Sequence, residues 1–205
     1  FFNEDYNFSL KENNFFYYKD KFGNLRIPLP NLNGQFQLEN ATTAIATLRI
    51  LEDLNIKHHH IVNGVQKAKH IARLEEIKSG KLKDLVKNNK LIIDSSHNPG
   101  GAKVLNEYLQ TLNCNKHVII GMMANKDHEK YISYFKDISS LTTIDIPGQP
   151  NSISGKDLKE KFKSIPNVQY KESIEQAIES IPLKENDLVI ITGSLYLAGE
   201  ILNLN

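Results

Sequence analysis

The chain has 205 residues, 40% of them hydrophobic and 24% charged, with 25 basic and 24 acidic side chains and a net charge of +1. This composition argues against a disordered or fibrous protein, and the charge balance lacks the excess that drives binding to nucleic acid or anionic lipid. The single cysteine, Cys114, excludes a disulfide framework, and the longest apolar runs, about five or six residues, are too short for a membrane span.

No secretory apolar segment is visible, so a reducing, cytoplasmic compartment is expected. Both methionines, Met122 and Met123, are internal, and patterned sequence begins at Phe1. The chain is therefore expected to be the C-terminal portion of a longer protein. From Phe1 to Leu29, aromatic and aliphatic residues alternate with polar ones, and Lys21 to Asn24 supply turn chemistry. This predicts two or three antiparallel strands, with Phe15, Phe16, Tyr17 and Tyr18 as core rather than a stacking platform, ended by Pro28 and Pro30.

The period then lengthens to that of a helix, with Ala41, Ala44, Ile45, Leu48, Leu51 and Leu54 on one face. Gly34, Gln37 and Asn40 precede or open it; their amides suit either a purine edge or a helix cap. His58, His59 and His60 are consecutive, so their side chains cannot converge on one metal, and they read as a solvated helix start. A second helix follows over 61–69. Arg73, among apolar neighbours, is either a salt-bridged surface residue or a phosphate ligand. The Lys-rich stretch 78–90 is expected to be a domain junction.

From Leu91 the pattern is regular. Strands are predicted at 91–93, 117–121, 141–146, 168–170 and 188–192, alternating with helices at 101–112, 129–138, 156–163, 174–180 and 195–202. Ser154–Asp157 and Ser173–Gln176 carry capping-box signatures. Alternation of this kind implies a mostly parallel, doubly wound sheet covered on both faces. LIIDSSHNPGG (91–101) reads as a buried strand, a polar turn and a helix start, and ligands sit at the carboxyl ends of such strands. Asp94 and His97 would project there, with Gly100 and Gly101 allowing close backbone approach at a helix N-terminus; the alternative is an ordinary turn in which Asp94 caps. Polar and small residues recur after two further strands, as Gly121 and Asn125–Asp127, and as Gly193, Ser194 and Tyr196. A P-loop, a dinucleotide glycine fingerprint and a nucleophile elbow are all missing from these 205 residues.

Five blocks in order, GQFQLENA (34–41), ARLEEI (72–77), DSSHNPGG (94–101), GMMANKD (121–127) and GSLYLAG (193–199), give the chain a resemblance. It resembles folylpolyglutamate synthase and the bifunctional dihydrofolate synthase of the Mur ligase superfamily. The resemblance implies a Rossmann-like, mostly parallel C-terminal domain over 81–205, preceded by the C-terminal remnant of an ATPase domain, strands plus helices, over 1–80. It implies an ATP-dependent ligase, assisted by magnesium, that adds L-glutamate to folate or dihydropteroate through an acyl phosphate, releasing ADP and phosphate. Carried onto this chain, ATP would be met by Asn40, Gln37, Arg73 and Asp94, and glutamate by His97, Ser194 and Tyr196. Catalysis would fall to His97 and Arg73, and no metal ligand is assigned. The magnesium ligands and P-loop would lie upstream of Phe1, so this chain alone is expected to be inactive. A monomer that binds neither nucleic acid nor membrane is implied. Phe36 and the Ser95-Ser96 pair depart from the family pattern. A piece of a peptidoglycan Mur ligase and a non-catalytic binding module are the alternatives.

Overall fold

Alternating aromatic and polar residues at the start of the chain form an antiparallel sheet of β1 (Tyr6–Glu12), β2 (Phe15–Asp20) and β3 (Gly23–Pro28), in that spatial order. The structure, a computed structural model, describes residues 1–51, 53–162, 165 and 167–204. Two units can be distinguished, Phe1–Ile71 and Ala72–Asn205. In the first, Phe16 and Tyr18 are fully buried and pack with Ile27, as expected of core, whereas Phe15 and Tyr17 on the other face of β2 are only half-buried. Pro28 is the last residue of β3, consistent with a residue that has no N–H to extend a ladder.

Helix α1 (Phe36–Ile50) and helix α2 (His58–Lys67) complete this unit. The buried face of α1 is Gln37, Leu38, Thr42 and Ile45, whereas Ala44, Leu51 and Leu54, expected inward, are exposed. The helix stops at Ile50, and the Thr42 hydroxyl donates to the carbonyl of Leu38 at 2.6 Å, which satisfies a polar group on the inner face. Asp20 accepts from the Tyr18 hydroxyl at 2.8 Å and from Arg49 Nε at 2.7 Å, joining the end of α1 to β2. The three histidines open α2 and are exposed, as read from sequence.

The second unit holds a six-stranded sheet in the order β4-β5-β9-β6-β7-β8. Its strands are β4 (Glu75–Ile77), β5 (Lys90–Asp94), β6 (Lys116–Ile120), β7 (Ser140–Ile144), β8 (Gln169–Lys171) and β9 (Leu188–Thr192). All pairs are parallel except β4 with β5. Apolar residues run through the central strands because both faces are covered. Leu91, Ile93, Ile119, Val189 and Ile191 join a core with α3 (Lys81–Val86), α7 (Ile174–Glu179) and α8 (Leu195–Leu204). Burying such a side chain contributes about 1.5–3 kcal/mol each. Helix α5 (His128–Ile132) contacts both α4 (Pro99–Gln110) and α6 (Gly155–Lys161) in a second group.

Three expectations change here. The division falls between Ile71 and Ala72, not after residue 80, because Glu75–Ile77 pairs antiparallel with Leu91–Ile93 and so belongs to the second sheet. The stretch read as a junction contains α3, anchored by the fully buried Leu82 and Val86. Helix α5 is shorter than expected, ending at Ile132, with Asp137 in the left-handed region at φ 51. The predicted end of the next helix, Lys163, lies outside the described residues. Ser154 and Ser173 cap α6 and α7, their hydroxyls accepting from the amides of Asp157 and Gln176.

Candidate active site

Strand β9 lies between β5 and β6, so three strand ends adjoin: Asp94 pairs with Thr192, and Thr192 with Ile120. The amide of Gly193 donates to the carbonyl of Ser96 at 3.0 Å, and that of Gly121 to the carbonyl of Thr192 at 3.3 Å. Gly193 is at φ +108, and a Cβ there would lie 2.6 Å from the carbonyl oxygen of Gly121. Only glycine meets both conditions without strain.

The turn after β5 is not arranged as expected. Asp94 is 3% exposed and faces inward: Oδ1 accepts from the amide of Ser96 at 2.9 Å and Oδ2 from the amide of Leu74 at 3.0 Å. It is Asn98, not Asp94, that caps α4, its side chain accepting from the amide of Gly101 at 2.9 Å, with Pro99 starting the helix. A Cβ on Gly101 would come within 2.7 Å of Ser96 Cβ, so the close approach this glycine permits is to Ser96.

Ser96, one of the two serines that depart from the family pattern, enters a buried hydroxyl network. Its Oγ lies 3.1 Å from the Tyr131 hydroxyl and 3.2 Å from Thr192 Oγ1. The Tyr131 hydroxyl also reaches the Ser96 carbonyl at 3.1 Å and Thr192 Oγ1 at 2.9 Å. Burial is the first cause that raises the Tyr131 phenol, with hydrogen bonds from Ser96 and Thr192 opposing it, so it stays neutral at physiological pH. The network holds the turns that carry His97 and Ser194.

His97 is half-buried, and its Nδ1 lies 3.0 Å from the carbonyl oxygen of Ser95. A carbonyl only accepts, so Nδ1 carries the proton and Nε2 is left to act outward. Ser194 is 2% exposed; its Oγ accepts from the amide of Tyr196 at 3.1 Å at the start of α8, and its own proton remains to donate. Tyr196 is exposed. The loops after β6 and β7 are zipped together: Ala124 donates to Asn151, Ile153 donates to Met122, and Met123 bridges Ser152. Buried His128 braces the same loop through Nε2 and the carbonyl of Met123, 3.0 Å apart.

These loops enclose a cavity of about 680 Å³, lined by His97, Asn125, Lys126, Asn151, Ser152, Ser194 and Tyr196 among others. None of the described residues lining it is acidic, while Lys126 supplies a cation and His97 an imidazole. The structure therefore brings together His97, Ser194 and Tyr196, the three residues expected to meet glutamate. Sequence reading noted Lys126 without giving it a role and passed over Asn151 and Ser152, whose only local signal was the turn-forming GQPNS stretch.

Arg73 belongs to the second unit, not to the part before it. It stands between Ala72 (φ 54) and Leu74 (φ 49), two left-handed non-glycine residues that cost roughly 1–2 kcal/mol each. Both are buried, while Arg73 between them is only half-buried. Gln37 and Asn40 lie in the first unit, where Asn40 Nδ2 donates to Gln37 Oε1 at 3.0 Å. That unit also has a groove of about 620 Å³, lined by Tyr6, Tyr18, Asp20 and Phe22 among others, that contains none of the expected site residues. Among the described residues no group of three or more His, Cys, Asp or Glu could hold a metal ion, and no helix is long and apolar enough to cross a membrane.

At the opposite edge, where β6, β7 and β9 begin, His117 Nδ1 lies 2.8 Å from Ser140 Oγ and its Nε2 lies 3.2 Å from Asp187 Oδ2. Asp187 also accepts from Asn115 at 2.8 Å and from the amide of Lys184 at 2.7 Å. With His117 and Asp187 both buried, the cluster fastens strand starts together.

Residues 72–195 match the family described as Mur ligase, glutamate ligase domain. The chain belongs to this family. A Haemophilus influenzae dihydrofolate synthase/folylpolyglutamate synthase is 27% identical over 197 residues, covering 86% of this chain and 44% of the relative. A Thermotoga maritima folylpolyglutamate synthase structure is 26% identical with a TM-score of 0.73, covering 98% of this chain and 47% of that one. Escherichia coli FolC in complex with DHPP and ADP shares the fold, with 24% identity and a TM-score of 0.80 over 98% of this chain and 46% of that one. The chain thus spans under half the length of the relatives it matches.

Proposed function

We propose that this chain is part of an ATP-dependent ligase that joins L-glutamate to the carboxylate of a folate or dihydropteroate. The observation that carries the proposal is the cavity at the carboxyl ends of β5, β9 and β6: it has a lysine, a histidine and a buried serine in its lining and no acidic residue among those described. Such a lining suits a small dicarboxylate, and the names of the relatives supply the acceptor class.

In the proposed reaction the acceptor carboxylate attacks the γ-phosphorus of ATP and ADP leaves. The glutamate nitrogen then attacks the acyl carbon, phosphate leaves and an amide forms. Lys126 pairs with a glutamate carboxylate, and Ser194 donates its hydroxyl proton to the same ligand. Nε2 of His97 takes the proton that the attacking nitrogen must lose. Arg73 offers its guanidinium to phosphate charge as it grows. Gln37 and Asn40 keep amide donors and acceptors for the adenine edge. Asp94, offered to a ribose hydroxyl by the resemblance, is 3% exposed with an oxygen on each of the Leu74 and Ser96 amides, and we read it as holding the turn beside Arg73. Magnesium accompanies ATP in this chemistry. The described residues do not fit a metal site, so no step here is routed through it. The enzyme is proposed to act as a cytoplasmic monomer.

The test is a ligation assay on the complete protein with ATP, L-glutamate and either dihydropteroate or tetrahydrofolate. ADP release that depends on both glutamate and the pterin is expected. ADP release indifferent to glutamate overturns the proposal.

A further inference from the structure

We infer that Glu75, together with Asp94, is a positioning residue for Arg73. Arg73 is carried between two left-handed residues, Ala72 at φ 54 and Leu74 at φ 49, a conformation that an L-residue holds only when its surroundings impose it. Glu75 Oε2 accepts from the amide of Ala72 at 2.6 Å, and Asp94 Oδ2 accepts from the amide of Leu74 at 3.0 Å. A third tether runs from the amide of Ser95 to the carbonyl of Ala72 at 2.7 Å. The flanking side chains are buried, Ala72 at 2% and Leu74 at 1% exposed. The backbone on both sides of Arg73 is thereby fastened, and among the described residues the arginine has no hydrogen-bond or ion-pair partner of its own. Two carboxylates are committed to the backbone amides on either side of Arg73, and the cation is left to an anionic ligand. Glu75 stabilises the geometry and touches no reacting atom.

This inference rests on the phosphate role given to Arg73 above, and the test separates the two. In the complete protein, Glu75→Ala is expected to lower kcat/KM for ATP by about 10- to 100-fold, with KM for glutamate unchanged. Glu75→Gln, which keeps an oxygen acceptor, is expected to restore most of the loss. Adding Glu75→Ala to an Arg73→Ala variant is expected to cost nothing further, because the group being positioned is already gone. Equal losses in both backgrounds overturn the positioning role, and so does a Glu75→Gln variant as impaired as Glu75→Ala. Hydrogen exchange provides a readout independent of activity: Glu75→Ala should speed exchange at the amide of Ala72, and unchanged exchange there overturns the inference. If Arg73→Ala leaves ATP use intact while exchange responds as expected, it is the phosphate role of Arg73 that fails and the tether that stands.

Discussion

The backbone amide of Gly193 lies 3.0 Å from the carbonyl oxygen of Ser96 and donates to it, so the turns after β9 and β5 are one hydrogen-bonded piece. His97 follows the acceptor in sequence and Ser194 follows the donor. Gly193→Ala would force a Cβ to within 2.6 Å of a backbone oxygen at φ +108. A destabilisation of about 2–4 kcal/mol is expected, read as a lower urea midpoint. A wild-type midpoint would show that the turn can open without cost.

The Tyr131 hydroxyl serves Ser96 and Thr192 in a buried setting. Tyr131→Phe removes it and leaves those partners short of a hydrogen bond, an expected cost of about 1–3 kcal/mol. Ser96→Ala should cost less in the Tyr131→Phe background than in the wild type, because the hydrogen bond the two hydroxyls share is already gone, while the contact with Thr192 remains to be lost. A double-mutant cycle by denaturant unfolding measures this; strictly additive losses would refute the coupling.

Lys126 is the cation assigned to the glutamate carboxylate. Lys126→Met is expected to raise KM for glutamate by roughly 10- to 100-fold, the scale of one charge-assisted hydrogen bond, with KM for ATP unchanged. Steady-state kinetics with each substrate varied in turn provide the check. A change confined to ATP would remove Lys126 from the glutamate pocket.

Asp187 fixes an acid limit to stability. Burial alone would raise its carboxyl, but hydrogen bonds from the Lys184 amide, Asn115 and His117 overcome this and hold it below the ordinary carboxylate value. A group depressed in the folded state contributes stability that is present above its unfolded pKa and lost as pH falls through its folded one. The unfolding free energy should therefore decline as pH drops below about 4. Asp187→Asn is expected to be less stable at pH 7 and flatter in the acid range, as followed by urea unfolding across pH. A variant that keeps the wild-type acid slope would assign that slope to other carboxylates.

Much of the second unit was legible because its strands are short apolar runs bounded by turn residues: β9 was predicted at Leu188–Thr192, as observed, and caps at Ser154 and Ser173 were readable from their spacing. β4 was missed because Glu75-Glu76-Ile77 is a three-residue edge strand with no alternation to detect. The inner face of α1 was misjudged because Gln37 and Thr42, both polar, are buried where apolar residues were expected. Asp94 was expected to face a ligand, but its burial depends on the amide of Leu74, twenty residues earlier, which no local pattern announces.

From the residues alone came the polar turn at 94–101, the small-residue turn at 193–199 and the alternation of strand with helix. Side-chain chemistry and periodicity are local properties, so they survive in a linear reading. Strand order is different. Leu91-Ile92-Ile93, Val118-Ile119-Ile120 and Val189-Ile190-Ile191 are near-equivalent apolar triplets joined by backbone hydrogen bonds that are indifferent to side-chain identity. Folding alone placed the last strand between β5 and β6, and that placement brings Lys126, His97 and Ser194 to a common cavity.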